Sequence, residues 1–114
     1  MSKNYHVKRR EFLNQFTDMR GHIIALVEDT SEIPQEDADA WKWSEVKLKL
    51  GDCTRNIELD FCLCCAEDRE NSLHKIRLIA EIVNAVRDAI EIEAARIDER
   101  QQVIPLANAA SNVH

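Results

Sequence analysis

One antiparallel register accounts for the whole stretch from Trp41 to Ala66. Leu50 faces Ile57, Leu48 faces Leu59 and Val46 faces Phe61, while on the other side Lys49 meets Glu58 and Lys47 meets Asp60. Side chains alternate along a strand, so a slip of one residue would set leucine against aspartate and lysine against phenylalanine. Each matched cross-strand pair contributes roughly 0.2 to 1 kcal/mol. The segment is therefore read as a two-stranded hairpin that turns through Gly51, Asp52, Cys53, Thr54, Arg55 and Asn56.

Before the hairpin, Phe12, Phe16, Met19, Ile23 and Leu26 recur at spacings of four and three, with Leu13, Ile24 and Val27 beside them. That periodicity predicts an amphipathic helix over about residues 5 to 28. Gly21 inside it costs about 1 kcal/mol relative to alanine and so points to a close approach by another backbone. From about 28 to 40 the chain is acidic and aperiodic, broken by Thr30, Ser31 and Pro34, and reads as a linker. After the hairpin, Glu67, Asp68 and Glu70 open a second helix, expected from about 69 to about 100. Asp68 or Asn71 serves as its cap, and Arg96 and Arg100 in its last turn complement the helix dipole. Residues 105 to 114 carry no amphipathic pattern and read as a flexible tail. The fold class that follows is α+β, a helix, a two-stranded antiparallel hairpin and a long helix (α-β-β-α), in one domain over 1 to 104. A chain of 114 residues, 45% of them apolar, suits one modest core.

The second helix is apolar over more of its surface than one contact requires. Ile76, Ile79, Val83, Val86, Ile90 and Ile97 form one stripe, and Leu78, Ile82, Ala85, Ala89 and Ile92 form its neighbour. Together they cover roughly half the circumference. An isolated hairpin is marginal in water, so one stripe is expected to pack within the chain. The stripe containing the small residues Ala85 and Ala89 is assigned to a homodimer interface.

Charge narrows the function classes. Fifteen basic residues against 21 acidic give a net charge of −6, which argues against a sequence-independent grip on a nucleic-acid backbone. The local basic excess of Lys3, Lys8, Arg9, Arg10 and Arg20 over Glu11 and Asp18 leaves a nucleic-acid-binding regulator only as a third reading. No run approaches the roughly 18 apolar residues of a membrane span, and no secretion signal opens the sequence. A cytoplasmic protein with free thiols is expected.

Catalytic patterns are missing. There is no HExxH, and with only Gly21 and Gly51 there is no glycine-rich phosphate loop. Cys53 beside Arg55 has one adjacent cation, too little for an activated nucleophile. The linker acids Glu28, Asp29, Glu32, Glu36, Asp37 and Asp39 do not follow a calcium-loop spacing. The closely spaced Cys62, Cys64 and Cys65 have no second cysteine pair elsewhere in the chain, as a zinc knuckle requires. On an extended strand Cys62 and Cys64 point to one side and Cys65 to the other. A metal site would then be Cys62 and Cys64 with a recruited histidine such as His74, whereas the leading reading has no metal or other cofactor and no enzymatic activity.

Continuing the hairpin register sets Glu45 opposite Cys62 and Trp43 opposite Cys64, with Trp41 beyond. Tryptophan is enriched at interface hot spots. Trp41 and Trp43, with Glu36, Asp37 and Asp39 beside them, are therefore the expected site for a protein partner. The sequence reads as a cytoplasmic, non-enzymatic interaction protein (an adapter, chaperone or regulator) acting as a homodimer. The alternative is a small metal- or redox-responsive protein using Cys62 and Cys64.

Overall fold

The lysine–leucine alternation of Val46–Asp52 and the sequence Arg55–Asp60 do form a hairpin, and it is half of a larger sheet. In the computed structural model, which describes residues 3–15, 21–34, 36, 42–52 and 54–111 (103–111 as backbone only), β1 is Asn4–Phe12, β2 is His22–Asp29, β3 is Val46–Asp52 and β4 is Arg55–Asp60. The sheet order is β1-β2-β3-β4, with every neighbour antiparallel. One helix follows, α1, Ala66–Ser111. The architecture is α+β. The chain comprises two units, Met1–His74 and Lys75–His114.

The helix expected over 5 to 28 is not formed, which corrects the α-β-β-α order. Its residues 4–12 and 22–29 are strands β1 and β2, while Phe16 and Met19 lie outside the described residues. The reason lies in Ile23-Ile24-Ala25-Leu26-Val27, an unbroken apolar run rich in β-branched residues. Such residues favour a strand, and the interior position sets each of them beside cross-strand neighbours in β1 and β3. All of β2 is half-buried, as that position requires. Gly21 stands just before β2, and a Cβ there would lie 3.1 Å from Asn14 Nδ2 and 3.5 Å from the Gly51 carbonyl, so its role is close approach.

The hairpin register is as the sequence indicates. Leu50 pairs with Ile57, Lys49 with Glu58, Leu48 with Leu59 and Lys47 with Asp60, and the Phe61 amide donates to the Val46 carbonyl at 3.4 Å. The other two ladders extend those rows across the sheet. On one face Arg9, Ala25, Leu48 and Leu59 form a row, and Glu11, Ile23, Leu50 and Ile57 form the next. On the other face the rows are Lys8, Leu26, Lys47 and Asp60, then Arg10, Ile24, Lys49 and Glu58. Pairing slips between Tyr5 and Val7, leaving His6 as a bulge. Charged residues and a bulge on the outer strand β1 protect an otherwise open edge from pairing with another chain.

Glu28 and Asp29, read from sequence as the start of a solvated linker, close β2 instead. The Glu28 side chain is only 8% exposed; its carboxylate accepts from the Glu45 amide at 2.8 Å and lies 3.7 Å from Lys3 Nζ. Asp29 accepts from the Ser31 amide at 2.9 Å. That hydrogen bond, with His6 nearby, holds the Asp29 carboxyl below its ordinary range.

Candidate functional site

The chain leaves β4 at Asp60 and enters α1 at Ala66, and the five residues between them are held from the helix side. Phe61 is the one buried hydrophobic side chain among the described residues, at 7% exposure. The hydroxyl of buried Ser72 donates to the Cys62 carbonyl at 2.7 Å, the Arg69 guanidinium to the Leu63 carbonyl at 3.0 Å, and the Arg69 amide to the Cys65 carbonyl at 2.9 Å. Three of the loop carbonyls, which would otherwise need water as a partner, are thereby fixed to the first two turns of the helix.

That fixation gathers two thiols around one carboxylate. The sulfurs of Cys62 and Cys64 are 3.1 Å apart, and both thiols donate to Oδ2 of Asp68, at 3.4 and 3.2 Å. The three donor atoms all lie within 4.8 Å of one another. The Asp68 amide points to the Cys65 sulfur at 3.5 Å. The neighbouring Cys62 sulfur first, and then the Asp68 carboxylate, push the Cys64 thiol up to about 12. The same thiol hydrogen bonds hold the Asp68 carboxyl below its ordinary value. Cys62, Cys64 and Cys65 are free thiols.

The sulfurs of Cys62 and Cys64 lie side by side, and the group gathered with them is Asp68; His74, the companion expected from the sequence, is not among them. Asp68 was legible only as a helix cap. Its position four residues after Cys64, at the point where a helix begins, is the signal that joins it to the thiols. The strand geometry assumed for Cys62, Cys64 and Cys65 does not apply, because β4 ends before them.

The tryptophan site is reached in part. Trp43 lies in a turn and is 81% exposed, and Glu36 is exposed as well. Trp41, Asp37, Asp39 and Cys53 lie outside the described residues. The paired ladder stops at Lys47 and Asp60, so the continuation that sets Trp43 against Cys64 is not made.

Along the second unit the expected interface residues Leu78, Ile82, Ala85, Ala89 and Ile92 are all exposed. So are Val83, Val86, Ile90 and Ile97, with Ile90 at 61%. Ile76, Ile79, Val83, Val86, Ile90 and Ile97 stand at alternating three- and four-residue steps, interrupted once at Glu93, the spacing of a coiled-coil seam. Arg87 with Asp88 and Glu91, and Arg100 with Glu93, form ion pairs on the helix surface. No helix among the described residues is long and apolar enough to cross a membrane.

An open groove of about 610 Å³ in the first unit is lined by Leu13, Asn14, Leu50, Arg55, Asn56 and Ile57 among others. The Asn14 amide nitrogen is buried there without a hydrogen-bond partner. No protein-family model, curated protein or solved structure matches the chain.

Proposed function

We propose that this protein is a non-enzymatic, cytoplasmic protein–protein interaction module that acts as a homodimer through helix α1. The observation that carries the reading is the exposed apolar arc of the helix. Seven large aliphatic residues from Leu78 to Ile97 are each 40 to 61% exposed. Covering them removes roughly 600 Å² per chain from water, close to the ~800 Å² per partner of a standard interface. A second copy is the occupant that presents the same arc, and a self-complementary patch is what a twofold interface uses.

β-Branched residues occupy both alternating positions of the seam, as Ile76, Val83 and Ile90 on one and Ile79 and Val86 on the other. In parallel coils that pattern favours three or four strands over two, so the homodimer is read as an antiparallel helix pair. Trp43, exposed beside the acidic segment that includes Glu36, is the surface for a separate protein partner; tryptophan at such a position is a common anchor. Light scattering tests the assembly. The expected mass is about twice the 13.1 kDa of one chain, falling toward one chain in Ala89→Glu. A monomer at high concentration overturns the reading.

A further inference from the structure

The pair of thiols and the carboxylate at the start of α1 have the chemistry and spacing of a metal-binding group. We propose that Cys62, Cys64 and Asp68 form a zinc site, two thiolates and one carboxylate, with solvent in the fourth position.

Donor geometry is the first argument. Tetrahedral zinc with Zn–S near 2.3 Å and Zn–O near 2.0 Å sets its sulfur and oxygen ligands about 3.5 Å apart and two sulfurs about 3.7 Å apart. The two Sγ···Oδ2 separations here are 3.4 and 3.2 Å, and the Sγ···Sγ separation is 3.1 Å. The two sulfurs must move apart by about 0.6 Å and the Cys64 sulfur from Oδ2 by about 0.3 Å, which small side-chain rotations achieve.

The second argument is the rigidity of the support. The carbonyls of Cys62, Leu63 and Cys65 are each tied to Ser72 or Arg69 on the helix, and Asp68 stands on the helix itself. A site whose ligands are positioned by hydrogen bonds before the ion arrives loses less entropy on binding it.

The third argument is chemical selection. Two thiolates favour zinc over magnesium or calcium, which take oxygen donors. Each thiol gives its proton to solvent as the ion binds. Three anionic donors around a dication leave one net negative charge, and that charge sits at a helix N-terminus, where the dipole favours it. The Cys65 sulfur faces the Asp68 amide and is not among the three gathered donors.

The test uses the full chain, freed of metal under reducing conditions and titrated with Zn²⁺ against a chromophoric chelator, with Co²⁺ as a spectroscopic probe. One zinc per chain is expected, and the cobalt form should show a thiolate-to-metal charge-transfer band with the intense visible absorption of tetrahedral cobalt. Cys62→Ser, Cys64→Ser and Asp68→Ala should each weaken binding at least about tenfold, since even outer-shell changes cost 10 to 100-fold. Cys65→Ser should bind as the wild type does. Absence of stoichiometric zinc, or of sulfur charge transfer in the wild-type cobalt spectrum, overturns the proposal whether or not the variants fold. Wild-type affinity in Asp68→Ala also overturns it, by reducing the site to a generic thiol pair, and so does a loss in Cys65→Ser equal to that in Cys62→Ser.

Discussion

The hydroxyl of Tyr5 in β1 donates a 2.9 Å hydrogen bond to Oε1 of Glu45, the residue before β3, so the two strands that flank β2 are tied directly across it. Glu28 of β2 completes the closure. Its amide donates to the Glu45 carbonyl and its carboxylate accepts from the Glu45 amide, both at 2.8 Å. A charged side chain at the boundary of an acidic stretch thus becomes the tie at the end of three strands.

The Tyr5 hydrogen bond carries a pH signature. Bonding to the Glu45 carboxylate comes first among the causes that hold the phenol above its ordinary value; desolvation and the charges of Glu45 and Glu28 add to it. The folded chain therefore holds the phenolic proton more tightly than the unfolded chain. The stabilisation is complete below the ordinary phenol value near ~10 and is lost as pH rises through the higher folded-state value. Tyr5→Phe should lower the urea midpoint at pH 7, and the gap from wild type should close in strongly alkaline solution. A gap that persists unchanged there would mean that the hydroxyl is not bonded to a carboxylate.

The β3–β4 register predicts a charge-swap result. Lys49 and Glu58 face each other directly. Lys49→Glu alone sets like charges opposite one another and should cost a few tenths of a kcal/mol, which Lys49→Glu with Glu58→Lys restores. Urea melts of the two variants check it, and equal midpoints would contradict the pairing.

How far the sequence discloses this fold can be judged at β2 and β3. Lys47, Leu48, Lys49 and Leu50 alternate cleanly, so their period names a strand and their partners in β4. Ile23 to Val27 have no alternation, and the four-and-three spacing of Phe12, Phe16, Met19, Ile23 and Leu26 then imitates a helix. Composition decides what spacing leaves ambiguous: Ile23, Ile24 and Val27 are β-branched. The thiol pair was legible because Cys62 and Cys64 are two residues apart. Asp68 was not, because its role depends on where the helix starts, and element boundaries are the weakest part of any reading by pattern.

Trp43 should matter to binding and little to folding. With 81% of its surface exposed, Trp43→Ala removes few internal contacts and should shift stability by no more than about 0.5 kcal/mol, as surface changes do. A loss of several kcal/mol in urea would show that the side chain is covered in solution and would remove it from the proposed partner surface.

Ser72 is a structural counterpart. It is buried at 5% exposure, and its hydroxyl is bonded to the Cys62 carbonyl. Ser72→Ala should cost about 1 kcal/mol, the net value of one such bond. It should also speed proteolysis between Asp60 and Ala66, because the loop loses one of its ties to the helix. An unchanged melting profile together with unchanged proteolysis would leave the loop held by Arg69 alone.

Thiol reactivity separates the causes acting on Cys64. With its thiol pushed up to about 12, only a small fraction is thiolate at neutral pH, and the thiolate is the form that alkylating reagents attack. Cys62 is the larger cause and Asp68 the next. Removing either lowers the pKa, raises the thiolate fraction and quickens the reaction. In metal-free protein, Cys64 should be alkylated by iodoacetamide faster in Asp68→Asn than in wild type, and faster still in Cys62→Ala. Cys62, Cys64 and Cys65 fall in one tryptic peptide, between Arg55 and Arg69, so the rate at Cys64 must be read from fragment ions within it. Equal Cys64 rates in wild type and Asp68→Asn would mean that the carboxylate does not face the thiol in solution.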